Sequence, residues 1–454
     1  MKLIAFCLAI AAGITANADD LRIGAAQTSI NPPPGTPLAG YYSLRPSDGV
    51  LDDLFAKALV LECGGQKAAI VICDLITMPR DVTMAARELI ATQSGIPPDN
   101  VMIAATHTHT APVLQRNATR DDFDGGNGDA SRSYTSSLPA LIARCVADAN
   151  AKLTSATARG TTPHVENVAF NRRFWTLDGT VAWNPPKLSP NIAAPAGPHD
   201  PEIGVLAFDT QDKTPLSLAT FVNYAMHPDT VGGTKISADY PGVIAQALER
   251  VRPGISMFAN GCCGNLNHRN VWWDNPQRGQ AEAARLGHAI SGAVCAGLPN
   301  LAAVSASRLA ARRETVHLPL PEITEADRAE VRELSPRVKE AKFMQQVKMF
   351  RVLDVQAREG KPFDVEVQVI VLGDDIAFVG LPGEIFVELG LAIKKASPFK
   401  HTMLIELANT AIGYIPNRSA YTEGNYEVVS ARCAAGSGEM LVDTAIQLLR
   451  ELKP

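Results

Sequence analysis

A chain of 454 residues with 46% hydrophobic and 20% charged side chains holds enough apolar surface for a large core, which excludes disorder as its main state. The formal net charge of -5 leaves no strongly basic surface of the kind a nucleic-acid groove needs. No fixed-period repeat is visible, so a solenoid or propeller is not expected.

The chain opens on the pattern of an export leader. Lys2 supplies the positive end, residues 3–14 are apolar, and Ala16-Asn17-Ala18 is a small-residue cleavage site. Cleavage after Ala18 predicts a periplasmic or secreted protein, with residues 19–454 as a single mature domain. The leader is too short to span a bilayer, and no later stretch qualifies as a transmembrane segment. Cys7 leaves with it. Seven cysteines remain, an odd number, so at least one thiol stays free or pairs between chains. Cys262-Cys263 is open to two readings, a vicinal disulfide or two packed thiols.

Residues 55–62 and 68–75 read as a hairpin around Gly64-Gly65, followed by a helix over 81–94 and a short buried strand over 101–105. Strand, helix, strand implies a parallel β-α-β unit. A helix is predicted over 135–152, then a Pro- and Asn-rich surface loop over 184–201. Strands at 203–209 and 216–224 precede a helix at 238–251, a strand at 255–259 and a helix at 278–297. The charged stretch 322–350 reads as solvent-facing helix. Strands at 365–372 and 375–381, a helix at 384–395, a strand at 402–407 and a helix at 438–452 complete the chain. The fold class is therefore α/β, with mixed β-sheets flanked by helices.

The chemistry concentrates in Thr106-His107-Thr108-His109-Thr110-Ala111-Pro112, directly after the strand at 101–105. Residues i and i+2 of an extended strand share a face, so His107 and His109 are expected side by side at a strand end. A His-x-His pair suits a metal, and α/β folds place ligands at strand ends. His227, in Asn223-Tyr224-Ala225-Met226-His227-Pro228, stands at the end of another apolar strand.

These motifs, with Ile236-Ser237-Ala238-Asp239-Tyr240-Pro241-Gly242, resemble the neutral (non-lysosomal) ceramidases. Further matches are Arg22-Ile23-Gly24 through Ala39-Gly40-Tyr41, Phe55 to Val60, and Gly380-Leu381-Pro382-Gly383-Glu384. Glu406-Leu407-Ala408-Asn409, Gly413-Tyr414 and Tyr421 to Glu427 extend the resemblance along nearly the whole mature chain. It implies that chain's catalytic-domain fold, without the family's C-terminal immunoglobulin-like domain. It also implies one Zn2+ held by His107, His227, Glu384 and Tyr421. His109 matches a group beside the reacting bond, and Arg172 a site-lining arginine. Two imidazoles and a carboxylate leave a position open for water, which fits a catalytic zinc. Glu384 is placed at the start of the helix predicted over 384–395, where the helix dipole also favours a carboxylate.

One departure matters. The family carries a serine in a Gly-Asp-x-Ser-Pro stretch, and the corresponding stretch here is Gly264-Asn265-Leu266-Asn267-His268. A serine nucleophile is excluded there, and Asn267, with His268 beside it, can only donate or accept a hydrogen bond. The expectation is thus an exported zinc hydrolase that cleaves an N-acyl bond with a metal-activated water. Its oxyanion is held by zinc, Tyr421 and His109. N-acyl sphingosine is the substrate the resemblance implies. Two other readings stay open: a zinc hydrolase acting on a glycan or other non-sphingolipid, and a non-catalytic metal-binding protein. Trp175, Trp183, Trp272 and Trp273 flank the site segments and offer faces for sugar rings or an acyl chain.

Overall fold

The computed structural model describes residues 21–454, so the leader, Cys7 and the cleavage site lie outside the described residues. Eight strands build the main sheet: Arg22–Ser29 (β1), Phe55–Cys63 (β2), Gln66–Cys73 (β3), Val101–Ala105 (β4), Thr154–Thr161 (β5), Gly204–Thr210 (β6), Ser217–Tyr224 (β7) and Ile255–Asn260 (β8). They run in the order β8-β7-β6-β5-β1-β2-β3-β4, and a short strand, Ala302–Ala303, adds to β5. A second sheet holds Leu309–Leu318 (β9), Phe363–Leu372 (β10), Ile376–Gly380 (β11) and His401–Ile405 (β12), in that order. Both sheets are mixed: β3–β4, β7–β8 and β11–β12 are parallel, while β2–β3 and β9–β10 are antiparallel.

The expected β-α-β unit is β3, helix Arg80–Ser94 (α1) and β4. Helix α1 begins after Pro79, whose fixed φ suits a helix entry, and stops at Gly95 in the left-handed region, φ 67°. With Asp129–Ala151 (α2) it covers the outer face of β1 to β4 through Val60, Val71, Ile90 and Leu138. Asp239–Val251 (α3) and Gln280–Gly297 (α4) cover the outer face of β6 to β8. The inner face packs on the second sheet, Phe208 and Phe221 meeting Ile370, Ile376 and Phe378. Beyond it lie Val387–Ala396 (α6) and Ser437–Leu452 (α7). Alternating residues of β6 and β7 thus face different layers, as the period-2 pattern requires.

The main sheet curls until its two ends approach. Lys57 Nζ in β2 donates to Ser256 O in β8 at 2.7 Å, and Asn260 Nδ2 at the end of β8 donates to Thr106 O beyond β4 at 3.4 Å. This curl brings the exits of β4 and β7 together. Asp74, just past β3, is buried and accepts the Phe55 N–H at 2.9 Å. Burial pushes its carboxyl from 3.8 up to about 6, against the opposing pull of Lys57. A carboxyl raised in the folded state contributes stability that is full below about pH 4 and lost as the pH rises through 6. Asp74→Asn is therefore expected to flatten the loss of stability between pH 4.5 and 7.5, by at most about 3 kcal/mol. Parallel denaturation midpoints for both proteins across that range would refute it.

Several expectations need correction. The helix predicted at 135–152 starts six residues earlier, with Pro139 inside it. The 322–350 stretch is broken into Glu325–Leu334, a 3-10 turn, and Phe343–Gln356 (α5). It is not simply solvent-facing, because Phe343 and Phe350 pack against Tyr42. Strands β1, β5 and β9 have no clear sequence signal. β9 shows why: its Arg312, Arg313 and Glu314 are exposed on a sheet edge, where charge replaces apolar alternation.

Candidate metal centre

The two strand-end histidines meet by a turn. Strand β4 ends at Ala105, and His107 adopts φ 74°, in the left-handed region. The expected i, i+2 alternation of an extended strand does not apply. A side-chain-bearing residue costs about 1–2 kcal/mol there. Hydrogen bonds hold it: His107 N donates to Leu75 O at 2.8 Å, and Nδ1 reaches Ile76 O at 2.7 Å. His227 follows β7, and its Nδ1 lies 2.8 Å from Cys263 O. Both Nδ1 atoms face carbonyls, which can only accept, so each ring in its neutral form carries its proton on Nδ1 and a lone pair on Nε2.

Both Nε2 atoms converge on Glu384 Oε2, at 3.3 Å from His107 and 3.2 Å from His227. Glu384 is not at a helix start. It lies in a two-residue strand, Glu384–Ile385, paired in parallel with Tyr414–Ile415, and α6 begins at Val387. The helix-dipole reading of this carboxylate therefore falls away. Gly264 sits directly behind it: a β-carbon there would lie 2.4 Å from Glu384 O. The buried Glu406 fixes the same segment by accepting the Ile385 and Cys263 N–H groups, each at 3.0 Å.

Burial acts to raise the Glu384 carboxyl, yet the facing His107 and His227 hold it well below the usual range. Burial acts to lower His107, and Glu384 outweighs it and raises that imidazole. Burial, with Arg172 nearby, pushes His227 down to about 3. A neutral His227 thus aims a lone pair at a carboxylate oxygen 3.2 Å away. Two acceptors at that distance repel unless a proton or a metal cation lies among them. His107, His109 and His227 form a group able to hold a metal ion, their ligand atoms all within 4.8 Å of one another. Glu384 adds the negative charge a divalent ion prefers.

His109 Nε2 lies 3.4 Å from His107 Nε2, and its Nδ1 lies 3.6 Å from Asp229 Oδ1. Burial pushes it down to about 4, so it is neutral at pH 7. Gly40, at φ 98°, passes against this ring, where a β-carbon would lie 2.7 Å from it. Tyr41 donates to Asp229 on the far side. Arg172 is buried, its Nε donating to Glu427 Oε1 at 2.8 Å and its Nη2 to Gly264 O at 2.6 Å. Its guanidinium lies 5.3 Å from the Tyr414 ring centre and 5.9 Å from that of Tyr426.

Tyr421 does not reach the cluster. It lies on the short helix Ala420–Glu423, and its hydroxyl donates to Cys433 O at 2.9 Å. The phenol at the site is Tyr414, whose hydroxyl is 3.5 Å from His227 Nε2, with Tyr426 packed edge-on against it. The pairing of Tyr414 with Glu384 in one small sheet delivers both groups together, and sequence order alone does not reveal it. Glu427, completely buried between Arg172 and Arg173, was also not singled out from the sequence. Asn267 donates to Asn184 Oδ1 at 2.9 Å, and His268 Nε2 meets Gln277 O at 2.8 Å.

Two cavities flank the cluster and share His109, Tyr414 and Tyr426 in their walls. One, of about 760 Å³, also reaches Arg172, His227, Asn267 and His268. The other, of about 670 Å³, reaches His107 and Glu384. Of the four tryptophans, Trp183 lines the first cavity, stacked on Phe343 and against Tyr426. Trp175, Trp272 and Trp273 are outside its wall. Among the described residues no disulfide forms, and the neighbours Cys262 and Cys263 are two packed thiols.

The fold is that of a neutral ceramidase. The structure of neutral ceramidase from Pseudomonas aeruginosa superposes with a TM-score of 0.73 at 19% identity, covering 96% of this chain and 75% of that one. A ceramidase complexed with C2 superposes with a TM-score of 0.71 at 19% identity, covering 96% and 76%. No protein-family model and no curated protein sequence matches the chain.

Proposed function

We propose that this chain, a neutral ceramidase in fold, is an exported zinc-dependent hydrolase that cleaves an N-acyl bond. The observation that carries the reading is the convergence of two imidazole Nε2 atoms on one carboxylate oxygen, 3.3 and 3.2 Å away. His107, His227 and Glu384 would hold the ion, with Tyr414 in the place that Tyr421 was expected to fill. Bound zinc would supply Lewis acidity toward the acyl oxygen and a water acidified to near neutrality.

The chain's own residues complete the reaction. The substrate amide spans the junction of the two cavities. Burial raises the Tyr414 phenol well above its usual range, so its hydroxyl stays protonated and donates to the developing oxyanion. Arg172, fixed by Glu427, adds positive charge behind that phenol. Neutral His109 takes a proton from the attacking water and passes it to the leaving nitrogen, while Asp229 orients the ring. Asn267 stands ready to hydrogen-bond the substrate, and no serine nucleophile is required. The products are a carboxylic acid and an amine.

Among the described residues no helix is long and apolar enough to cross a membrane, and the export pattern of residues 1–18 supports a periplasmic or secreted location. The test is metal analysis of the purified mature chain, followed by hydrolysis of N-acyl substrates, short-chain ceramide among them, with chelator and with zinc restored. Stoichiometric zinc and chelator-sensitive amide cleavage are expected. Absence of bound metal, or turnover indifferent to chelation, would sink the proposal.

A pair of tyrosine variants separates the two phenols. Tyr414→Phe is expected to lower kcat about 10²–10³-fold with KM little changed, the loss typical of one oxyanion donor. Tyr421→Phe should leave kcat intact and cost about 1 kcal/mol of stability, the value of one hydrogen bond. The reverse pattern would return Tyr421 to the site.

A further inference from the structure

The cavity of about 760 Å³ beside His109 and His227 is unsuited to long alkyl chains. Among the described residues in its wall there is no Ala, Val, Leu, Ile or Met; its apolar surface is aromatic, with Trp183 and Phe343 prominent. Two stacked acyl-length chains would lie against amides and guanidiniums there, leaving polar groups desolvated without partners.

Its charge is also unbalanced. Arg269 and Arg278 line it and have no carboxylate partner among the described residues. Lys187 donates to a neutral acceptor, Asn275 O, at 2.6 Å. The wall's one carboxylate, Asp229, is already engaged by Tyr41 and faces His109. Arg278 reaches inward over Gly232: its Nη2 is 3.3 Å, and the Tyr41 hydroxyl 3.7 Å, from the point a β-carbon on Gly232 would occupy. Tyr41 in turn donates to Asp229, which faces His109. In the second cavity Arg116, Arg120 and Arg432 are each paired with an aspartate, while Arg80 and Arg358 donate to backbone carbonyls.

We propose that this cavity binds the hydrophilic, anionic part of the substrate, a hydroxylated ring carrying a sulfate or carboxylate, with Arg269 and Arg278 on the anion and Trp183 along the ring. The proposal rests on the hydrolase reading and names its substrate class: an anionic N-acyl sugar and not a sphingolipid. Guanidinium groups fork onto carboxylate and sulfate oxygens alike, so the geometry selects the charge and leaves the acid open.

The test is calorimetric titration of the zinc-loaded protein with N-acetylglucosamine 6-sulfate, N-acetylneuraminic acid, uncharged N-acetylglucosamine, and dispersed N-acetylsphingosine. One or both charged sugars should bind at least about tenfold more tightly than the uncharged one, the increment of a charge-assisted hydrogen bond. Which of the two binds identifies sulfate or carboxylate. In the Arg269→Ala/Arg278→Ala double variant that preference should fall to within about twofold, the change expected when the charged hydrogen bonds are removed. The Gln/Gln double variant serves if the alanine protein does not fold. Equal affinity for charged and uncharged sugars, tightest binding of N-acetylsphingosine, or a preference that survives both variants overturns the proposal. Calorimetry reads binding and not turnover. Charged sugars bound but never hydrolysed would therefore count against the hydrolase reading alone, and a working hydrolase indifferent to charge against this one alone.

Discussion

Glu384→Ala is expected to abolish hydrolysis and metal retention together. Among the described residues the carboxylate is the sole negative charge touching both imidazole Nε2 atoms, at 3.2 and 3.3 Å. Without it the cluster loses its carboxylate donor, and affinity for a divalent ion drops. Activity should fall about a thousandfold or more, equivalent to the several kcal/mol that Lewis-acid catalysis supplies. Glu384→Gln keeps the size and removes the charge, so it should fail nearly as badly; near-normal zinc content in this variant would contradict the assigned donor set. Gly264→Ala provides an independent route to the same residue, because its methyl would press on the Glu384 main-chain carbonyl oxygen from 2.4 Å. Metal content and kcat/KM should fall there too, although no donor has been changed.

Glu427→Ala is expected to destabilise the fold by several kcal/mol. Glu427 is fully buried and accepts from Arg172 at 2.8 Å and from Arg173 at 3.0 Å. Its removal leaves two buried guanidiniums with one remaining carboxylate, Glu423, on Arg173. Breaking a buried pair from one side costs about 3–5 kcal/mol. Denaturant unfolding at pH 7 checks the figure, and a loss under 1 kcal/mol would mean that water reaches these arginines. Activity should fall in the surviving folded protein as well, since Arg172 loses the anchor that holds it behind Tyr414.

Much of the framework was legible because its elements carry strong local signals. The hairpin of β2 and β3, the α1 helix and strand β4 follow from apolar runs punctuated by Gly-Gly and by Gly95. His107, His227 and Glu384 come together as their motifs implied. What escaped is non-local. Tyr414 reaches the cluster through a two-residue parallel bridge, and Tyr421, seven positions later, turns toward Cys433. His107 reaches it through a positive φ, which strand alternation does not anticipate. Glu427 gives no periodic signal, since its importance comes from two arginines more than 250 residues away.

The donors come from opposite sheets: His107 and His227 leave the curled one, Glu384 and Tyr414 the smaller one. An ion shared among them would act as a rivet across the core, adding to the apolar contacts and the few buried hydrogen bonds, such as those of Asn223 with Leu404, that join the layers. At a thousandfold excess over its dissociation constant it would add about 4 kcal/mol to the folded state. Zinc scarcity would then loosen the architecture as well as silence it, and the starved protein would be the one that proteases clear first.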